Sequence, residues 1–272
     1  MEAIDFVSSD GLISSVTCQD RVSGEKLNIK TRSCVNAAGV WSDKLLKQID
    51  PDWKDKVKPA KGTHIMLPLS SFETTTALFL PTPDGRYVFV VPWQKALMVG
   101  TTDTEYEGPL DNPLPTAQEI DYLLGILNSY NKAKDTSRAV CRDDVIAAWS
   151  GLRPLVSATE EDGKTSNLSR EHLLFTGPSG IIGLIGGKLT NYRILSIHIT
   201  DMVLDQLKRR QAATFDAAKI GPPCTDKIML GNWDNHSDYL TSSAQISSRG
   251  RKLGLDPATI DHITATFGKD AL

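Results

Sequence analysis

The chain has 272 residues, 40% of them hydrophobic, and a formal net charge of −3. That supplies a real core for one large or two small domains, and the charge excludes a global field for nucleic acid. No apolar run approaches the ~20 residues of a membrane span, and the acidic start Met1-Glu2-Ala3-Ile4-Asp5 lacks the basic and apolar regions of a signal peptide. Cys18, Cys34, Cys141 and Cys224 are scattered with no CxxC pair, which reads as reduced thiols in a cytosolic setting. His64, His172, His198, His236 and His262 show no metal-ligand spacing, so no metal site is expected.

In chain order, residues 1–35 read as a β-meander with turns at Asp10-Gly11 and Ser23-Gly24. Leu27, Ile29 and Thr31 alternate with Asn28, Lys30 and Arg32, which predicts a half-buried strand. Cys34-Val35 runs into the small residues Asn36-Ala37-Ala38-Gly39, which allow close backbone approach to a ligand. Ser42 is placed to cap a short helix, Asp43 to Ile49, with Asp43 favoured by the helix dipole. A proline-bounded charged connector, Pro51 to Pro59, marks a boundary.

Strands are predicted over Ile65–Leu67, Leu78–Leu80, Arg86–Val91 and Ala96–Thr101, as antiparallel neighbours. Thr116-Ala117-Gln118-Glu119 matches a capping box, and Ile120, Leu123, Leu124 and Leu127 recur at helical spacing as core positions. Asp144 to Ser150 reads as a buried strand ending at Gly151-Leu152-Arg153-Pro154-Leu155, where Arg153 needs either an anionic partner or full exposure. A strand from Leu173 to Thr176 follows.

The chain is organised around Gly180 to Arg193, GIIGLIGGKLTNYR, a strand, a tight glycine turn and a helix start. Such an opening aims unpaired N–H groups and positive partial charge outwards, and Lys188 adds a full charge. The pattern suits a planar, electron-accepting or anionic group; taken alone, a glycine turn more often reports close strand–helix packing. The helix runs to about Arg210, with Tyr192, Leu195, Ile199, Met202, Val203 and Leu207 marking its buried face. Beyond Gly221-Pro222-Pro223, a weakly helical stretch from Asp238 to Gly250 precedes a helix from Ala258 to Phe267, with Asp256 as N-cap, Pro257 at its first position and Gly268 as C-cap.

The segments VNAAGVW (35–41), KGTHI (61–65), RYVFVVPW (86–93), GTTDTEY (100–106), WSGLRPLV (149–156), SRE (169–171) and GGKLTNYR (186–193) occur in this order. Together they closely resemble the FAD-dependent, respiratory, quinone-linked glycerol-3-phosphate dehydrogenases. The sequence contains no GxGxxG loop of the kind that cradles the FAD pyrophosphate, so the resemblance covers a middle-to-C-terminal portion of such an enzyme. The fold it implies is of the α+β/α/β class: a partial FAD-binding domain, glutathione-reductase-like and of the D-amino-acid-oxidase superfamily, with an inserted antiparallel-sheet substrate (cap) domain and the start of a C-terminal helical domain. The implied divisions are 1–57 for part of the FAD-binding domain, 58–150 for the cap domain with a helix over 116–130, 151–212 for the return to the FAD-binding domain, and 222–272 for the helical domain.

The resemblance implies oxidation of sn-glycerol 3-phosphate to dihydroxyacetone phosphate by hydride transfer to FAD, with electrons passed to a quinone or other acceptor. It places Arg153, Arg170 and Lys188 at the substrate. It makes Lys188 a base or electrostatic stabiliser with His64 as the rival base, and sets Ala38, Gly39, Trp41, Gly186, Gly187, Lys188, Leu189 and Thr190 along the cofactor. Thr102 and Asp103 recur in the family and are expected to be structural. The expected partners are glycerol 3-phosphate, the electron acceptor, the missing N-terminal FAD-binding half and a second copy in a homodimer. The expected location is cytoplasmic, peripheral on the inner face of the membrane. Two competing expectations are a folded interaction module without flavin and an amino-acid-oxidase-like flavoenzyme, which grips a carboxylate and has fewer reasons for Arg153, Arg170 and Lys188 together.

Overall fold

Left-handed backbone at Asp10 and Gly11 (φ 52° and 73°) reverses the chain between β1 (Glu2–Ser9) and β2 (Leu12–Gln19), and β3 (Lys26–Lys30) completes an antiparallel meander in the order β1-β2-β3. The computed structural model describes residues 1–133, 139–157, 172–210, 216, 219–228 and 236–271. They fall into two units, Met1–Phe215 and Asp216–Leu272.

The predicted strand at Leu27–Thr31 forms, but every residue of β3 is exposed. It is the free edge of the meander, and only the β1–β2 side meets a core: Ile13 packs with Leu46 and Ile181. Helix α1 (Ser42–Ile49) begins one residue earlier than expected, and Ser42 lies inside it instead of capping it. Its buried hydroxyl has no hydrogen-bond partner among the described residues. Asp43 ties the following connector back onto the helix, accepting from Trp53 Nε1 (2.8 Å) and the backbone N–H groups of Lys56 (2.9 Å) and Val57 (2.7 Å).

The larger sheet is antiparallel and six-stranded. It comprises β5 (Val57–Pro68), β6 (Leu78–Pro81), β7 (Tyr87–Trp93), β8 (Ala96–Gly100), β9 (Thr104–Glu105) and β10 (Ala147–Val156), in the order β10-β5-β8-β7-β6 with β9 on β5. Its strands alternate between two faces. One face carries Ile65, Leu67, Val88, Val90, Leu97 and Val99 into a core with Leu123, Leu124 and Leu127 of α2 (Ala117–Ala133). Burying each of these side chains is worth about 1.5–3 kcal/mol. The capping box forms as read, with Thr116 N–H donating to Glu119 Oε2 (2.8 Å) and Glu119 N–H to Thr116 Oγ1 (3.3 Å). The expected burial of Asp144 to Ser150 is not observed. Arg142–Asp144 forms a 3-10 turn, and Ala147, Ala148 and Trp149 are exposed, because β10 is the sheet's edge and α2 packs on the central strands.

The third sheet orders β11 (His172–Thr176), β12 (Ile182–Gly186) and β4 (Val35–Asn36) as β11-β12-β4, with β12 parallel to β4. Gly183 is confined to glycine by packing: a Cβ there would lie 2.2 Å from the Phe175 ring. Helix α3 (Tyr192–Arg209) follows, but of its predicted buried face only Leu195 is buried, and Tyr192 is exposed. An eighteen-residue helix spans about 27 Å and a five-residue strand about 17 Å, so the short sheet covers only part of the stripe.

In the second unit α4 (His236–Lys252) and α5 (Pro257–Phe267) approach closely where Gly250 meets Ile260; a Cβ at Gly250 would lie 2.7 Å from Ile260 Cγ1. Asp256 caps α5 by accepting from Thr259 N–H (3.0 Å), and Gly268 ends it at φ 55°. Asp256→Ala is expected to destabilise this unit, read as a lower urea midpoint by circular dichroism; an unchanged midpoint would show that the cap contributes nothing.

Candidate active site

Residues paired across antiparallel strands share a face, and the register puts Ala60, Gly62 and His64 of β5 on one face with Arg153, Gly151 and Trp149 of β10. This is the face turned away from α2. The Arg153 guanidinium lies along it over Gly62, where a Cβ would stand 2.5 Å from Nη2, so only glycine leaves room. It donates to Asp103 Oδ1 (3.2 Å), Thr101 Oγ1 (3.1 Å) and the Thr102 carbonyl (3.4 Å), and its side chain remains 34% exposed. Asp103 is itself braced from below, its carbonyl accepting from Arg86 Nη1 (3.0 Å). Arg86 in turn pairs with Asp84, whose carboxyl is held down to about 2 by the Thr82 hydroxyl and then by the Arg86 guanidinium.

Across from Arg153, β12 ends at Gly186 and Gly187 follows it, both left-handed (φ 78° and 86°). Gly187 serves packing as well, since a Cβ there would lie 2.7 Å from Leu195 Cδ1. The chain does not pass directly from this turn into α3; a 3-10 turn, Leu189–Asn191, intervenes. Lys188, Leu189 and Thr190 are exposed on it. A cleft of about 520 Å³ lies between the two segments, lined by Leu152–Leu155 and Gly186–Leu189. It brings Arg153 and Lys188 to one space with the glycine turn.

Ala38 leads into the 3-10 turn Gly39–Trp41, which packs beside β5, β10 and β12. Gly39 is left-handed (φ 59°) with open space where a Cβ would be, and Trp41 Nε1 donates to Asp111 Oδ1 (3.0 Å). His64 sits within β5 and does not line the cleft. Burial, and secondarily the Arg153 charge, hold its imidazole below the ordinary histidine value. Arg170 lies outside the described residues. Thr102 is used internally, accepting from Thr63 N–H (2.9 Å) and donating to Glu119 Oε1 (3.4 Å). Gly62, Gly100 and Trp149 were not singled out from the sequence, although all lie in segments that carried the resemblance; the signal was register, which appears only once strands are paired.

These residues fit the flavin-ring side of FAD: backbone without side chains at Gly39 and Gly186–Gly187, an exposed cation at Lys188, and a flat indole at Trp41. The sheet, the glycine turn and the cationic cleft suit a flavin-dependent oxidoreductase. A family model described as FAD dependent oxidoreductase (DAO) matches residues 2–193, and the chain belongs to that family. It is 29% identical to an aerobic glycerol-3-phosphate dehydrogenase of Staphylococcus haemolyticus over 99% of this chain and 47% of that protein. It is 32% identical to a mitochondrial glycerol-3-phosphate dehydrogenase of Bos taurus over 95% of this chain and 33% of that protein. The structure of the Bacillus halodurans glycerol-3-phosphate dehydrogenase complexed with FAD superposes with a TM-score of 0.79 at 27% identity, covering all of this chain and 50% of that one. The chain thus spans a third to a half of the length of these relatives. The fold is the FAD-binding fold of this family, with antiparallel sheets and helices.

Proposed function

We propose that the chain forms the substrate-binding and flavin-facing part of an FAD-dependent glycerol-3-phosphate dehydrogenase, oxidising sn-glycerol 3-phosphate to dihydroxyacetone phosphate and delivering the electrons to a quinone. The observation that carries this reading is the cleft in which Arg153 faces Lys188 beside the Gly186–Gly187 turn. The similarity to glycerol-3-phosphate dehydrogenases supports it.

A phosphate dianion is best met by a guanidinium, whose planar fork can donate two parallel hydrogen bonds. Arg153 supplies that fork, kept in place by Asp103 and Thr101. Oxidation of the C2 alcohol removes a hydride from carbon and a proton from oxygen. His64, which is not among the cleft-lining residues but shares the Arg153 face of β5 and β10 and feels the Arg153 charge, is assigned the proton: its depressed pKa keeps the imidazole neutral, the form that accepts. Lys188 stabilises the negative charge that develops on the substrate oxygen as the proton leaves. Bound FAD supplies the two-electron acceptor. Delivery to a quinone implies peripheral contact with a membrane; among the described residues no helix is long and apolar enough to cross one.

Visible absorbance of the purified chain with and without FAD tests this reading, followed by anaerobic addition of substrates. Glycerol 3-phosphate is expected to bleach the flavin band, and glycerol and amino acids are not. Bleaching by an amino acid but not by glycerol 3-phosphate would overturn the substrate.

A further inference from the structure

The pairing register sets five residues in one row across the open face of the six-stranded sheet. Trp149 of β10 pairs with His64 of β5, His64 with Gly100 of β8, Gly100 with Phe89 of β7, and Phe89 with Phe79 of β6. Four of the five are aromatic rings or imidazole. The Phe79 and Phe89 rings meet at 4.5 Å, and the His64 and Trp149 rings stack at 5.4 Å with an interplanar angle of 9°. Gly100 is the one gap, and His64 occupies it: a Cβ at Gly100 would stand 2.3 Å from His64 Cδ2 and 2.8 Å from Cγ. The imidazole is therefore flanked by an indole on one side and bare backbone on the other. No hydrogen bond to either ring nitrogen is present among the described residues, so the ring's orientation is set by this packing.

We propose that Trp149 is a positioning residue for the reaction: with the backbone of Gly100 it clamps the His64 ring in one plane on the substrate face of the sheet. The assignment rests on His64 acting as the base, as argued above. A ring fixed by hydrogen bonding spends one nitrogen on its anchor, whereas a ring fixed by stacking keeps both for substrate. The charged groups facing His64 from its neighbours are Arg153 on β10 and, through Arg153, its partner Asp103; Lys61 of β5 points to the opposite face. The indole also excludes water from one side of the ring, which adds to the burial that holds the imidazole neutral.

The test follows the His64 Cε1 proton by NMR across pH in the chain itself, assigned by its loss in His64→Asn, for Trp149→Ala, Trp149→Phe and Phe79→Ala. Trp149→Ala is expected to move the titration up towards the ordinary value of about 6.5, Trp149→Phe to restore most of the native position, and Phe79→Ala, at the far end of the row, to leave it unchanged. In glycerol 3-phosphate turnover by the FAD-loaded protein, the acid limb of kcat/KM is expected to move up with the titration in Trp149→Ala. There kcat falls about tenfold and KM changes little, consistent with a single misplaced proton acceptor. A His64 titration that is the same in Trp149→Ala as in the native chain overturns the clamp. A titration that moves while the pH limb and kcat stay fixed overturns the positioning role. The NMR arm needs no turnover, so a chain that shows the titration shift but never oxidises glycerol 3-phosphate refutes the proposed function and leaves the clamp standing.

Discussion

Arg153→Ala in the FAD-loaded enzyme is expected to lower kcat/KM for glycerol 3-phosphate by about 10–150-fold, mostly through KM. Hydrogen bonds to charged groups are worth about 1.5–3 kcal/mol, and each 1.4 kcal/mol is tenfold. The arginine contributes charge and a planar fork together, so Arg153→Lys, which keeps the charge alone, is expected to recover only part of the loss. The side chain also holds Thr101 and Asp103, and flavin absorbance and thermal midpoint must be followed alongside. An unaltered KM for glycerol 3-phosphate in a folded, flavin-loaded variant would remove Arg153 from the phosphate site.

Lys61→Met is expected to cost about 3–5 kcal/mol of stability, the range for removing one partner of a buried ion pair. Lys61 and Glu119 side chains are each 8% exposed and meet at 2.9 Å. The ammonium also donates to the Leu114 carbonyl (3.0 Å) and lies 5.6 Å from the centre of the Tyr106 ring. Burial raises the Glu119 pKa, but the Lys61 ammonium and the Thr116 backbone, Thr116 hydroxyl and Thr63 contacts outweigh it, and the net shift is downward. A carboxyl depressed in the folded state contributes stability that is present above its unfolded value of about 4.3 and is lost as pH falls through the folded one. Urea midpoints from neutral pH down through that window should therefore fall in the native chain, and fall less in Lys61→Met, where the carboxylate has lost its principal cation. If Lys61→Met unfolds at the native midpoint, the pair holds nothing together. Glu119→Gln/Lys61→Met, which removes both charges, is expected to be less damaging than the sum of the single variants.

The strands and helices of the larger sheet were legible because local pattern and tertiary demand agree there. Leu123, Leu124 and Leu127 recur at helical spacing and all three are buried. The Thr116–Glu119 box forms because capping is satisfied within a single turn. The failures share one cause. Burial of β3, of β10 at Trp149 and of the α3 stripe depends on what lies opposite, which alternation and helical spacing do not encode. Ser42 looked like a cap because serine often is one; the chain entered the helix from a 3-10 turn at Gly39–Trp41, which left no Ncap position for it.

By itself the sequence determined the elements that rest on local chemistry: the glycine turn at 186–187, the capped helices at 117 and 257, the hairpin turns and the ordered segments that resemble a flavoenzyme family. Only the tertiary structure decided which of their residues meet. Arg153 and Lys188 lie 35 positions apart by number and share a cleft because β10 is drawn alongside the end of β12. His64, Gly100 and Trp149 come from three strands, and their contact is fixed by cross-strand register. Register is a long-range property: a slip of one residue would turn each of these side chains to the other face, and no local pattern in any one strand specifies its neighbour.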